Sequence, residues 1–119
     1  MEKYKLFDAE FKFVNIIWEN EPVNSTELVG LCKARLGWKK STTYTVLKKL
    51  CERGILQNKD AIVTALIQRE DVQKYESSTV VEKAFEGSLP KFLTAFLGER
   101  KLSEQEAEEL KRIIEEAVK

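Results

Sequence analysis

Five consecutive hydroxyl-bearing side chains, Ser41 to Thr45, stand at the start of a stretch that otherwise has the pattern of a helix. Ser, Thr and Tyr are mediocre helix formers, because β-branching restricts χ1 and short hydroxyls compete for backbone hydrogen bonds. A hydroxyl can donate or accept a hydrogen bond, so a row of hydroxyls suits contact with a polar surface. The choice of residues therefore indicates a partner outside the helix.

Positive charge is concentrated around this hydroxyl run, although the chain as a whole has a net charge of zero. Residues 1 to 32 have a net charge of −3 and residues 60 to 119 a net charge of −4. Residues 33 to 59 carry eight Lys and Arg against one acid, a net charge of +7. The neutral total conceals this local excess of cations, which favours an anionic partner.

Most catalytic chemistry is disfavoured by what the sequence lacks. There is no His among the 119 residues, which removes the commonest general base and metal ligand. The two cysteines do not form a CxxC pair, and there is neither a Gly-rich phosphate loop nor a GxSxG motif. We therefore expect no enzymatic activity, no metal and no cofactor. A helical enzyme with carboxylate chemistry is the remaining alternative.

Cys32 and Cys51 each lie among apolar neighbours at helical spacing. We expect both to be small buried hydrophobic residues, with a disulfide or a redox switch as the alternative. The sequence has no secretory signal at its N-terminus and no apolar run long enough to span a bilayer. A cytoplasmic location is therefore expected.

Two stretches before the hydroxyl run have apolar residues at helical spacing. Asp8 is a fair N-cap, and the pattern after it predicts a first helix over about residues 8 to 20, which Pro22 must end. Asn24 is suited to cap a short second helix that stops at Gly37. The sequence thus predicts two helices ahead of the hydroxyl-bearing one.

The third predicted helix, about residues 40 to 53, has two different faces. At 100° per residue, Thr43 gathers with the apolar side chains on one side. Ser41, Thr45 and Lys48 gather on the opposite side. Most of the hydroxyls are therefore expected to face outward.

A hairpin is predicted directly after Gly54, which suits the C-cap of the third helix. Two β-rich runs flank a tight turn at residues 58 to 60. Three short helices and a hairpin describe a winged helix-turn-helix, whose third helix enters the major groove of DNA, and cations beside it neutralise phosphates. The expected phosphate contacts are Lys39, Lys40, Lys48, Lys49, Arg53 and Lys59.

The remaining residues predict a second lobe of three helices, giving a DNA-binding domain over residues 1 to 69 and a helical dimerisation domain over residues 70 to 119. Such a small lobe cannot readily bury its apolar stripes alone. A second copy of the chain would cover them, and packing on the first lobe is the alternative. The expected dimer contacts are Phe85, Leu89, Phe92, Leu93, Phe96, Leu97, Leu110, Ile113 and Ile114. The predicted fold class is mainly α.

Four motifs follow one another along the chain. DAEFKFVNIIW begins at Asp8, and Trp38 leads into T-x-x-T-x-L-x-x-L-x-x-x-G, which ends at Gly54. FEGSLPKFLTAFL occupies residues 85 to 97, and L-S-x-x-E-x-x-E-L occupies residues 102 to 110. In this order and spacing they resemble the penicillinase-repressor (BlaI/MecI/CopY) family of winged-helix transcriptional repressors. The likeness covers nearly the whole chain.

The resemblance implies a bacterial homodimer that binds double-stranded DNA at a palindromic operator. It places the base-contacting positions on Ser41, Thr42, Tyr44 and Thr45. The same analogy implies a membrane metalloprotease sensor as a partner, which would relieve repression by proteolysis. The cysteine-rich tail of the copper-responsive branch is absent, so the resemblance does not imply metal sensing. The alternative function is a winged-helix module whose basic face contacts an acidic protein.

Overall fold

The structure, a computed structural model that describes residues 4 to 119, is mostly helical with one small antiparallel sheet. Its elements are α1 (Asp8–Asn20), β1 (Val23–Asn24), α2 (Ser25–Leu36), α3 (Lys40–Glu52), β2 (Leu56–Lys59), β3 (Ile62–Ala65), α4 (Arg69–Phe85), α5 (Leu89–Leu97) and α6 (Glu104–Val118). This order confirms the predicted fold class, a winged helix-turn-helix followed by a helical C-terminal region.

One apolar core joins the first three helices to the sheet. Phe13 and Ile17 of α1, Leu28 of α2, Leu50 of α3 and Val63 of β3 are all fully buried. Side chains three or four positions apart lie on one face of a helix, so each helix turns one apolar stripe toward this centre. The packing holds α3 by its apolar side and leaves its opposite side in solvent.

The predicted helix ends are confirmed for α2 and corrected for α1. Asn24 caps α2, since its side-chain oxygen accepts a hydrogen bond from the backbone N–H of Thr26 at 2.8 Å. The N-cap of α1 is Phe7 rather than Asp8, which is the first helical residue. The side chain of Glu10 accepts a hydrogen bond from the Phe7 N–H at 3.0 Å, so a carboxylate inside the first turn replaces the expected cap.

The predicted hairpin is confirmed, but its turn lies further along the chain than expected. Lys59 pairs with Ile62, which leaves Asp60 and Ala61 as a two-residue loop. Both loop residues have positive φ values, 54° and 67°. Such values are those of a type I′ turn, whose twist matches that of the flanking strands.

A third strand, which the sequence did not predict, completes the sheet. The strand order is β1-β3-β2, and Val23 of β1 pairs with Val63 of β3. β1 has only two residues, too few to display the alternation that identifies a strand in sequence.

The chain separates into two compact units, one ending at Thr79 and the other Val80–Lys119. This division falls inside α4. The expected boundary between the two domains, after residue 69, lies instead at the start of α4 and stays a prediction. In the second unit, Ser88 and Ser103 cap α5 and α6 by accepting backbone hydrogen bonds at 3.2 Å and 3.0 Å. No residue of α5 or α6 is buried.

Candidate nucleic-acid interface

The core fixes which side of α3 meets solvent. Thr43, Leu47 and Leu50 are buried. The Thr43 hydroxyl donates to the backbone carbonyl of Lys39 at 3.3 Å, so this hydroxyl is used inside the protein. Trp38, just before the helix, stacks on Phe13 with ring centroids 5.4 Å apart. The buried side chains of α3 and the stacking of Trp38 just before it therefore hold the start of this helix in one orientation.

The exposed face of α3 carries three of the four residues expected to contact bases. Ser41, Thr42 and Thr45 are all exposed, as the helical wheel predicted for Ser41 and Thr45. Their hydroxyls lie within the first two turns of the helix. A short polar side chain at such a position allows close approach to a surface and leaves its hydroxyl free to serve as donor or acceptor.

Tyr44, the fourth residue expected to contact bases, lies partly inside the protein. Its side chain is half-buried and packs on the core, and its hydroxyl lies 3.5 Å from the hydroxyl of Ser25 at the start of α2. Tyr44 therefore links α3 to α2. The ring also lines a shallow surface groove of about 380 Å³ between α3 and β2.

Four of the six expected phosphate-contacting cations are exposed and form no ion pair with any residue from 4 to 119. Lys39 and Lys40 stand at the N-terminus of α3, and Lys48 shares the outward side with Thr45. Lys59 ends β2 beside the turn of the hairpin. The structure thus distributes these charges over both the helix and the wing.

The other two cations converge on a single carboxylate. Lys49 Nζ lies 3.0 Å from Glu10 Oε2, and Arg53 Nη1 lies 3.2 Å from Glu10 Oε1. Burial raises the pKa of Glu10, but the hydrogen bond from the Phe7 N–H and the interactions with Lys49 and Arg53 outweigh burial and hold this pKa below its ordinary value. Glu10 is therefore a charged group that joins α1 to the end of α3.

Sequence reasoning did not identify Glu10 as part of this surface. Its position in the first turn of α1 indicated only an acidic residue near a helix N-terminus. The contact with Arg53 spans 43 positions of sequence, so no local pattern could have indicated it.

Both cysteines are free thiols. Burial raises the pKa of Cys32, which lies inside the core, and of Cys51, which lines the groove beside Tyr44. A raised pKa keeps a thiol protonated and weakly reactive. The packing of Cys32 matches the expected role as a small buried hydrophobic residue.

The described part of the chain offers neither a metal site nor a helix that could cross a membrane. Within residues 4 to 119, no group of His, Cys, Asp and Glu side chains is placed to hold a metal ion. None of the helices in that range combines the length and the apolar character needed to cross a bilayer.

The second unit presents the residues expected at a dimer interface. Phe92 packs between Phe85 and Phe96, with ring centroids 5.5 Å and 5.7 Å away. The Arg100 guanidinium lies 4.5 Å from the Phe96 ring centroid. Phe96 nevertheless remains 54% exposed, and Ile113 of α6 is 63% exposed. These apolar side chains are only partly covered within one chain.

Comparison with known proteins gives consistent results over both units. A family model described as "Penicillinase repressor" matches residues 6 to 116. The methicillin resistance regulatory protein MecI of Staphylococcus aureus is 24% identical over 115 residues, which are 93% of this chain and 94% of that protein. The penicillinase repressor of Bacillus licheniformis is 26% identical over 116 residues, which are 94% of this chain and 91% of that protein.

Proposed function

The chain belongs to the penicillinase-repressor family and is a transcriptional repressor rather than an enzyme, and we propose that it binds a palindromic operator sequence-specifically as a homodimer. The relatives named above regulate methicillin resistance or penicillinase.

The observation that carries the DNA-binding proposal is the exposed face of α3. In a winged helix-turn-helix the N-terminal part of the third helix lies in the major groove. Ser41, Thr42 and Thr45 are exposed in that part of α3, where hydroxyls would meet base edges. We assign them to base contacts, together with the half-buried Tyr44.

The phosphate backbone would be held by cations on two sides of this face. Lys39 and Lys40 precede the exposed hydroxyls, Lys48 follows them, and Lys59 lies on the wing. Contacts of this kind fix the register of a protein on DNA without reading its sequence. Lys49 and Arg53 complete the proposed set, although both also contact Glu10.

The homodimer proposal is supported by the apolar surface of the second unit. Leu89, Phe96, Ile113 and Ile114 are each more than half exposed. Several large apolar side chains exposed on one small unit favour an interaction site there. A second copy of the chain is the partner that a palindromic site requires, because a two-fold symmetric operator matches a two-fold symmetric dimer.

A salt titration of DNA binding tests the proposal. Four exposed cations per protomer correspond to about eight phosphates for a dimer, so log K should fall with log salt with a slope of roughly −7. The measurement is fluorescence anisotropy with a duplex taken from upstream of the chain's own gene. A slope shallower than about −2 would instead favour the alternative, a winged-helix module that contacts an acidic protein.

The control of repression is proposed only by analogy with the family. A repressor of this kind would act in the bacterial cytoplasm, and a membrane sensor protease would inactivate it by cleavage. The neighbouring genes provide the test, since a sensor protease encoded beside the repressor is what this proposal expects. A neighbourhood without any such protease would argue against regulation by proteolysis.

A further inference from the structure

A nearly buried carboxylate lies beside the proposed DNA-binding surface. Glu10 is 5% exposed, and each of its oxygens lies beside a cation. Oε1 accepts hydrogen bonds from the Phe7 N–H at 3.0 Å and from Arg53 at 3.2 Å, and Oε2 lies 3.0 Å from Lys49 Nζ. One anion thus engages two of the six cations assigned to phosphates.

The two cations differ in how firmly they are held. The Arg53 side chain is 30% exposed, and its second terminal nitrogen donates to the backbone carbonyl of Lys5. The Lys49 side chain is 56% exposed and contacts Glu10 through an ammonium group with three donors. Lys49 can therefore contact an external anion while it remains beside Glu10, whereas Arg53 has both ends of its guanidinium engaged within the protein.

We propose that Glu10 is a positioning residue of the DNA-binding surface, which holds Arg53 as a structural link between α1 and α3 and shares Lys49 with the DNA phosphates. This inference rests on the proposed function. It reassigns Arg53 from phosphate contact to structure. It also makes Lys49 a weaker phosphate partner than Lys48, which has no ion pair with any described residue.

The electrostatic consequence has a definite sign. A carboxylate 3.0 Å from the Lys49 ammonium cancels part of the field that this cation would exert on a phosphate. Counterion release on DNA binding follows the number of phosphates that are neutralised. Removing the negative charge of Glu10 should therefore increase the number of counterions released, and Lys49 should be the residue responsible.

The experiment measures the salt slope of binding to a random-sequence duplex for four variants. Glu10→Gln keeps an acceptor for the Phe7 N–H but removes the charge, and it should steepen the slope by up to about 0.9 per protomer. Lys49→Ala should flatten the slope less than Lys48→Ala does. The double variant Glu10→Gln/Lys49→Ala should have the slope of Lys49→Ala alone, because it lacks Lys49, the cation that Glu10→Gln frees from its ion pair.

Glu19→Gln is the matched control. Glu19 is also an acid of α1 and also pairs with an arginine, Arg35 of α2, at 2.6 Å. Its replacement changes the net charge by the same amount and breaks a helix-to-helix ion pair whose arginine is not one of the six expected phosphate contacts. The slope of Glu19→Gln should equal that of the wild type, while a general effect of net charge would steepen both variants alike and overturn the proposal.

Other outcomes separate this inference from the proposed function. The role of Glu10 would be refuted if Glu10→Gln left the salt slope unchanged. It would also be refuted if Glu10→Gln steepened the slope equally in the wild-type protein and in Lys49→Ala. Neither outcome would contradict DNA binding itself. A wild-type slope shallower than about −2 would instead refute the proposed function itself. If circular dichroism showed that Glu10→Gln does not fold, the two lysine variants would decide the question. Equal flattening of the salt slope by Lys48→Ala and Lys49→Ala would contradict the proposal that Lys49 is shared between Glu10 and the DNA phosphates.

Discussion

At the scale of single residues, the hydroxyl run of α3 separates into distinct roles. Thr43 is buried and bonds within the helix, and Tyr44 reaches Ser25 of α2. Ser41 and Thr45 lie one turn apart on the exposed side, where neither packing nor a hydrogen bond within the described chain accounts for them. The proposed contact with base edges would explain why two hydroxyls stand at these positions.

Substitution of Thr45 tests whether this residue reads the base sequence, as distinct from strengthening binding to any DNA. Thr45→Ala should cost about 1 to 3 kcal/mol on the operator and reduce discrimination at one or two base pairs, because a base-edge contact is lost. Binding to random DNA should change little. The measurement is anisotropy with the operator duplex, with single-base variants of it and with a random duplex.

Lys48→Ala is the matched control on the same face of α3. As a phosphate contact, Lys48 should affect operator and random DNA by about the same factor, and its loss should lower the salt slope by about one per protomer. If Thr45→Ala also lowered both affinities equally while circular dichroism stayed unchanged, the exposed hydroxyls would not be a readout surface.

At the scale of secondary-structure elements, sequence predicted what local signals determine. Caps, breakers and apolar periodicity placed α1 to α3 within a few residues of their observed bounds, and the sequence also predicted the three helices that follow the hairpin. β1 was missed because its identity depends on pairing with Val63, forty positions from Val23. The partners of Glu10 were missed for the same reason, since tertiary packing alone brings Lys49 and Arg53 to it.

The displaced hairpin turn provides a prediction at this scale. Ala61 has φ 67°, a region in which a Cβ atom is unfavourable and glycine is not. The Ala61 carbonyl accepts a hydrogen bond from the Ser25 N–H at 2.8 Å, which a glycine would retain. Ala61→Gly should therefore stabilise the fold by up to about 1 kcal/mol, measured as the free energy of unfolding in urea.

The same substitution in a helix serves as the control. Ala84 is an exposed residue inside α4, where glycine should cost about 1 kcal/mol. Opposite signs for the two substitutions are expected. Destabilisation by Ala61→Gly comparable to that by Ala84→Gly would mean that residue 61 does not adopt the left-handed conformation in solution.

At the scale of the whole molecule, charge and apolar surface are segregated along the chain. The basic segment, residues 33 to 59, lies in the first compact unit, and the exposed apolar side chains of α5 and α6 lie in the second. A single chain has one helix α3, which in the proposed function would meet only a few base pairs. Joining two chains through the second unit would double the base and phosphate contacts, and the proposed dimer would account for an apolar surface on a small acidic unit.

Phe96 provides the test of this assembly, because it is 54% exposed in the single chain yet stacks on Phe92 of the same helix. Phe96→Glu would place a charge in the proposed interface, where burial without a partner is costly, so the protomers should separate. Glu109→Gln, at an exposed position of α6, should leave the dimer intact. Sedimentation at micromolar concentration is the measurement, and operator affinity should fall with dissociation, since each half-site would then be bound separately. A wild-type protein that is already monomeric at that concentration would refute the homodimer.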